Sequence, residues 1–331
     1  MKNKILIIII ITVILFISII PVTFAYTDND IEKVMNNAAT ASSSFSSIKT
    51  RLEGEYGIDS VRYLYMYLNP NRKANCFLTD EEIKTAPNDK YVTGRIIDRN
   101  KIKTLIKYFY DSAESASKNK YNIKVTPTEV YVITMGEGFI IMLESYKKYG
   151  TWLEHYSYYC YKDRTGNIWT SGFALLGVDH FSDEASILKA GGFLRQDFKE
   201  GREYRPTIRI NEKKKKVHSA DFSNFKVGIE AAGARIAWSK YLFLRDIKSL
   251  GVQESSISDD QIFFWTYYYF NAGSGNGKSA LSKFVSNGKI NDQLFVMGKS
   301  GTTVKNGCKA RDNSIMRLAT YKSIKELNIF V

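Results

Sequence analysis

Apolar positions along this chain fall into stretches of different period. Lys2 and Lys4 precede an almost unbroken apolar run from Ile5 to Ile20, which ends in Pro21-Val22-Thr23-Phe24-Ala25. A basic start, an apolar centre and a small-residue end are the parts of an export signal, here cut after Ala25. The run is long for a signal and short of the roughly 20 residues that span a bilayer, so an uncleaved N-terminal anchor is the alternative. Between residues 26 and 60 apolar residues are sparse, as in Asn36-Asn37-Ala38-Ala39-Thr40-Ala41-Ser42-Ser43-Ser44, which reads as a surface helix or a mobile leader. Tyr63, Tyr65 and Tyr67 then turn the pattern aromatic, and Asn69-Pro70-Asn71 marks a turn. Arg95 to Tyr110 predicts a helix with Ile102, Leu105, Ile106 and Phe109 on one face. The polar stretch Ser115 to Lys120 is the expected boundary between a small helical N-terminal region (26–120) and a larger region (121–331).

That larger region opens on Thr126-Pro127-Thr128-Glu129, a complete helix start: Thr as N-cap, Pro at the first helical position and Glu placed for a capping box. The helix carries Val130, Tyr131, Val132, Ile133 and Met135 and reaches Glu137, the only charged side chain between Glu129 and Glu144. Tyr146 to Tyr161 is aromatic and alternating, which suits strands. Asp163-Arg164-Thr165-Gly166-Asn167 reads as the turn that closes their hairpin. Near the other end the aromatic run Phe263-Phe264-Trp265-Thr266-Tyr267-Tyr268-Tyr269-Phe270 leads into Asn271-Ala272-Gly273 and a glycine-rich turn.

Composition narrows the picture. With 331 residues, 44% of them apolar, the chain is globular and long enough for one large domain or a small one before a larger one. Its net charge is +13, and loss of residues 1–25 removes two lysines and no acid, leaving +11. For an exported chain the anionic partner is envelope material (peptidoglycan peptides, teichoic acids or acidic lipid) rather than nucleic acid; solubility alone is the other explanation. Cys76, Cys160 and Cys308 allow at most one disulfide, and His155, His180 and His218 are too scattered for a metal site. No metal and no cofactor are expected.

Two stretches carry candidate chemistry. A carboxyl at Glu137 among Ile133, Met135, Phe139 and Ile140 loses hydration, which raises its pKa toward what a general acid needs; alternatively it reaches solvent at a helix end broken by Gly138. Residues 272–279 approach the phosphate-loop pattern G-x-x-x-x-G-K-[ST], with Ala272 in place of the first Gly and Gly277, Lys278 and Ser279 matching. A nucleotide site would also require a strand before the loop and a Mg²⁺-holding Asp after it. Only 52 residues follow Ser279, and no such strand is legible among them. The run Lys213 to Lys216 is a solvated hairpin tip or an electrostatic hold on anionic polymer.

The order of a helix with Pro127 and Glu137, then Gly172-Phe173-Ala174-Leu175-Leu176-Gly177-Val178-Asp179, then Tyr269-Phe270-Asn271-Ala272-Gly273 resembles goose-type lysozymes and the related soluble lytic transglycosylases. The resemblance spans about 126–326. Gly228 to Ile247 and Asp312 to Glu326 fall where that family has helices. It implies an α+β, mainly α, lysozyme-like domain with a small β-hairpin as one wall of a sugar cleft. It also implies cleavage of the β-1,4 bond between N-acetylmuramic acid and N-acetylglucosamine in peptidoglycan. Glu137 would be the general acid, Asp179 the carboxylate that positions water, and Asp163 the next candidate. Phe173, Tyr269, Phe270 and Asn271, with Ala272 and Gly273, would line the cleft. Three positions depart from the family: Gly138 stands for Ser, Gly177 for Gln and Phe270 for Tyr, each removing a hydrogen-bonding group. A non-catalytic wall-binding protein that keeps the fold is therefore the second expectation.

Overall fold

The computed structural model describes residues 26–58, 61–71, 99–136, 181–198, 225–291 and 307–330. Within them the chain is mainly helical: α1 (Asp28–Thr40), α2 (Ser42–Tyr56), a 3-10 turn (Leu64–Leu68), α3 (Arg99–Ser117), α4 (residues 127–136), α5 (Phe181–Ala190), α6 (Phe225–Ser249), α7 (Asp259–Ala272), α8 (Ser274–Phe284) and α9 (Gly307–Glu326). Strands β1 (Val285–Ser286) and β2 (Lys289–Ile290) form an antiparallel pair with Val285 opposite Ile290. Asn287 and Gly288 join them at φ 51° and 69°, the left-handed pair that a tight two-residue hairpin demands. The hairpin expected over 146–167, with its turn at Asp163, lies outside the described residues.

The expectation of a surface helix or mobile leader over 26–60 is overturned. Ile31, Val34, Met35 and Ala38 of α1 are buried, as are Phe45, Leu52 and Tyr56 of α2. The apolar residues are few, yet those of α1 recur at helical spacing on one face, and alanines let neighbouring helices approach. A capping box between Thr27 and Asp30 fixes where α1 begins.

Helix α3 follows the expected pattern, with Ile102, Leu105, Ile106 and Phe109 all buried. It continues past Tyr110 to Ser117, and its last turns lie directly on α6. Helix α6 carries small residues in this stretch, Gly228, Ala231, Ala232, Gly233, Ala234 and Ala237, all buried. The Ser112 hydroxyl donates to the Ile229 carbonyl at 2.7 Å. A Cβ on Gly233 would overlap the Ser112 hydroxyl and sit 3.2 Å from the Ser112 carbonyl oxygen. Because backbone stands in the way, Gly233→Ala should lower stability by about 1–3 kcal/mol. An unchanged midpoint in urea unfolding would contradict so close a contact.

Residues on both sides of the expected boundary at 115–120 share one core, running from Ile31 to Ile329. The Tyr131 hydroxyl donates to the Leu64 carbonyl, and Phe330 packs beside Tyr110 and Tyr131. The Lys322 ammonium on α9 reaches Glu55 at 3.0 Å, the Tyr56 hydroxyl at 2.9 Å and Asp260 at 3.3 Å, tying α2, α7 and α9 together. Burial pushes the Tyr56 phenol up to about 12 even beside that cation.

Candidate functional site

Helix α4 starts as its sequence prescribes. The Glu129 amide donates to Thr126 Oγ1 at 3.2 Å, and the Thr126 amide donates to Glu129 Oε2 at 2.7 Å. Glu129 is nonetheless buried, and its second oxygen receives Lys240 Nζ from α6 at 2.9 Å. A carboxylate withdrawn from water is tolerated when it is paired and hydrogen-bonded in this way. Val130, Tyr131, Val132, Ile133 and Met135 then bury every face of α4, so the helix is fixed along its described length. Gly136 is its last described residue. Glu137, Asp163, Phe173 and Asp179 lie outside the described residues, as do Gly138 and Gly177.

What meets Gly136 is a guanidinium. Arg317 of α9 is 2% exposed, and a Cβ on Gly136 would overlap its Nη1 and Cζ. A helical glycine costs about 1 kcal/mol relative to alanine; here it makes room for a cation against the helix backbone. The same guanidinium carbon sits 5.2 Å from the centroid of the Tyr267 ring, and Tyr267 stacks on Phe270 at 6.3 Å and 21°. Arg235 of α6 lies 4.9 Å from the Phe270 centroid. Desolvated cation–ring contacts of this kind are worth up to about 2 kcal/mol each. The end of α4 is thus joined through Arg317 and Tyr267 to the aromatic motif at the end of α7. Among the described residues the buried Tyr267 hydroxyl has no hydrogen-bond partner.

The motif residues divide between interior and surface. Helix α7 is started by a capping box between Ser258 and Gln261, and Tyr269 and Phe270 near its end point inward, 2% and 5% exposed. Tyr269 donates its hydroxyl to Asp246 Oδ2 at 3.1 Å, while Arg245 holds Asp246 Oδ1 through Nε at 2.9 Å and Nη2 at 2.7 Å. Burial first, then the Asp246 charge, pushes the Tyr269 phenol far above its ordinary value. Asn271 is exposed, and Ala272 and Gly273 are half-buried. Asn276 donates to the Ala272 carbonyl at 3.0 Å.

Gly273, at φ 80°, breaks the chain between α7 and α8. The glycine-rich turn expected after it is instead the first part of helix α8. Gly277 is required there because a Cβ would come within 2.7–2.8 Å of the Tyr269 ring. This packing accounts for the glycine of the phosphate-loop pattern. A helix rather than a strand leads into the stretch, and Lys278 and Ser279 lie on exposed positions of α8, without the strand-to-helix junction that a phosphate cradle uses.

Sequence reasoning missed Arg317, Arg235 and Tyr267. Gly136 was the available signal, since an interior helical glycine marks a close approach, but its partner 181 residues away leaves no local trace. Among the described residues no group of three His, Cys, Asp or Glu side chains could hold a metal ion, and no helix is long and apolar enough to cross a membrane. No protein-family model matches the chain, and neither the curated proteins nor the solved structures include a significant match to it.

Proposed function

We propose that this chain is an exported enzyme that cleaves the glycan strands of peptidoglycan at the β-1,4 bond between N-acetylmuramic acid and N-acetylglucosamine. The observation that carries the reading is the contact of Arg317 with both Gly136 and Tyr267. It joins the described part of the helix that precedes Glu137 in sequence to α7, which ends in the Tyr269-to-Gly273 motif, and this supports the reading. Glu137 protonates the leaving glycosidic oxygen. Asp179, with Asp163 as the next candidate, holds a water on the opposite face of the sugar; an inverting pair of carboxyls stands roughly 6.5–9.5 Å apart. Hydrolysis is favoured over transglycosylation because Val178-Asp179 stands where goose-type members carry Val-Asp. In a transglycosylase the muramic 6-hydroxyl attacks instead, and Glu137 alone suffices. Asn271, Ala272 and Gly273 are the motif residues that reach the surface and can meet substrate, with Phe270 beneath them.

Export is part of the same reading. Tyr26, the first residue after the expected cleavage, is already built into the fold: its hydroxyl donates to Asp111 and its ring lies 4.9 Å from that of Tyr110.

One observation favours a second reading, in which the protein binds wall without cutting it. The Tyr269 hydroxyl is engaged by Asp246 and its ring by Gly277, so this part of the motif has a packing role that would persist without catalysis. Mass spectrometry of material released from purified peptidoglycan separates the readings. Hydrolysis gives reducing muramic ends, whereas transglycosylation gives anhydro ends lighter by one water. Anhydro ends alone, unaltered in Asp179→Asn, would remove the water-positioning role. No release at all would leave the binding protein.

A further inference from the structure

Tyr121 and Ile187 are large apolar side chains that remain exposed, at 44% and 49%. Both lie along the seam where the loop between α3 and α4 meets the end of α5. The loop is rigidly templated. Asn119, itself buried, donates from Nδ2 to the carbonyls of Ala116 (2.8 Å) and Ile123 (2.7 Å). Its Oδ1 accepts from the amides of Tyr121 (3.0 Å) and Ile123 (3.1 Å). Asn122 takes the left-handed conformation at φ 57°. The Lys120 amide and ammonium donate to the carbonyls of Gly191 (3.1 Å) and Ala190 (2.7 Å), which stitches the loop to α5.

On this frame the Tyr121 ring stacks on Tyr241 (4.1 Å, 29°) with Phe193 beside it (5.6 Å, 19°). Phe193 and Tyr241 are themselves 6.2 Å apart, so they meet adjacent sides of the ring, and Trp238 continues the stack from Tyr241 at 5.2 Å. Tyr121 thus keeps 44% of its surface open to solvent. Lys118, Lys120 and Lys124 flank it in sequence, and Lys189 lies on α5, which is stitched to the loop. Lys118 is paired with Glu114, but the ammonium groups of Lys120 and Lys189 meet the carbonyls of Ala190 and Phe198 rather than carboxylates, and Lys124 is exposed. The seam therefore carries positive charge that its bonded carboxylates do not neutralise.

We propose that this seam is a docking surface for an anionic wall glycan, a second hold on the polymer that rests on the reading of the chain as a wall-cleaving enzyme. Carboxylate or phosphate groups of the polymer meet Lys120, Lys124 and Lys189, and its sugar rings pack against the exposed part of Tyr121 and against Ile187. The surface is pre-organised, so little side-chain freedom is lost on binding. The charge pattern and the exposed tyrosine ring suit a hydroxyl-rich polyanion. A lipid surface fits less well, because two exposed apolar side chains bury too little area to insert. The seam lies at the start of α4, whereas the Arg317 contact lies at its end, about 15 Å away for a ten-residue helix. A strand held at one end of α4 could thus be presented to the other.

Co-sedimentation of the full mature protein with purified insoluble peptidoglycan tests this, with muropeptide release recorded separately. Lys120→Glu/Lys124→Glu should bind wall about tenfold more weakly at low ionic strength, and wild-type binding should itself weaken as salt rises. Tyr121→Ser should weaken binding while leaving the salt dependence in place. Lys124→Gln, which touches no bond of the loop, should show a smaller loss in the same direction should the double variant melt early. Variants that sediment like the wild type overturn the proposal, as does wild-type binding to anionic phospholipid vesicles but not to wall. Binding without release would end the cleavage reading and leave the docking surface standing.

Discussion

Residues 121–331 expressed alone are expected not to unfold cooperatively, because about a third of the described buried core belongs to the residues before them. Val34, Met35, Phe45, Leu52, Leu68, Ile102, Ile106 and Phe109 are each at most 1% exposed and belong to the core that continues through α4, α6, α7 and α9. At about 1.5–3 kcal/mol for each such side chain, these eight contribute on the order of 12–24 kcal/mol of burial. A domain typically has about 5–15 kcal/mol of net stability. The fragment would also bare the part of α6 around Ile229 and Gly233 against which Ser112 now packs. Circular dichroism during heating should show no sharp transition, and amide proton resonances should be poorly dispersed. One sharp transition in the fragment would establish 121–331 as an autonomous domain.

The second large effect is on activity. Glu137→Gln keeps the length and shape of the side chain but removes the proton it would donate to the leaving oxygen. General-acid catalysis contributes about 10²–10⁴-fold, so release of muropeptides should fall at least ~10²-fold, equivalent to about 2.7 kcal/mol of transition-state stabilisation. Wall binding should persist, since the docking seam and the exposed motif residues are untouched. A variant that retains half of the wild-type turnover would end the assignment of Glu137.

Much of the helical framework was legible where a long segment repeats its apolar positions. The buried face of α3 and the capping box at Thr126 were readable in this way, and α6 and α9 extend only a few residues beyond their expected limits. Helices α1 and α2 were underrated because a few well-spaced side chains do their packing (Ile31, Val34, Met35 and Ala38 in α1, Phe45, Leu52 and Tyr56 in α2) among many polar ones, which weighs little in a count of apolar residues. The β1–β2 hairpin escaped notice because two residues per strand are too few to alternate, although Asn287-Gly288 is a strong turn signal. Helix α8 read as a turn because Gly275 and Gly277 are poor helix formers; packing on Tyr269 overrides that preference. At the candidate site the exposed and inward members of the motif could not be told apart from sequence. The arginines that organise it come from α6 and α9, and contacts between distant segments carry no periodic signature.

The joining of the two ends of the chain constrains when the protein can fold. Asn37 of α1 donates to the carbonyl of Asn328, a separation of 291 positions, and Arg51 of α2 pairs with Glu326. Such distant partners make ring closure entropically demanding and slow the search for the native arrangement. On a ribosome adding roughly 5–20 residues per second, α1 and α2 emerge well before α9 and must wait for it. Until then the apolar faces of the early helices have no permanent cover, and the nascent chain stays in a pliable state that could be threaded through a narrow pore.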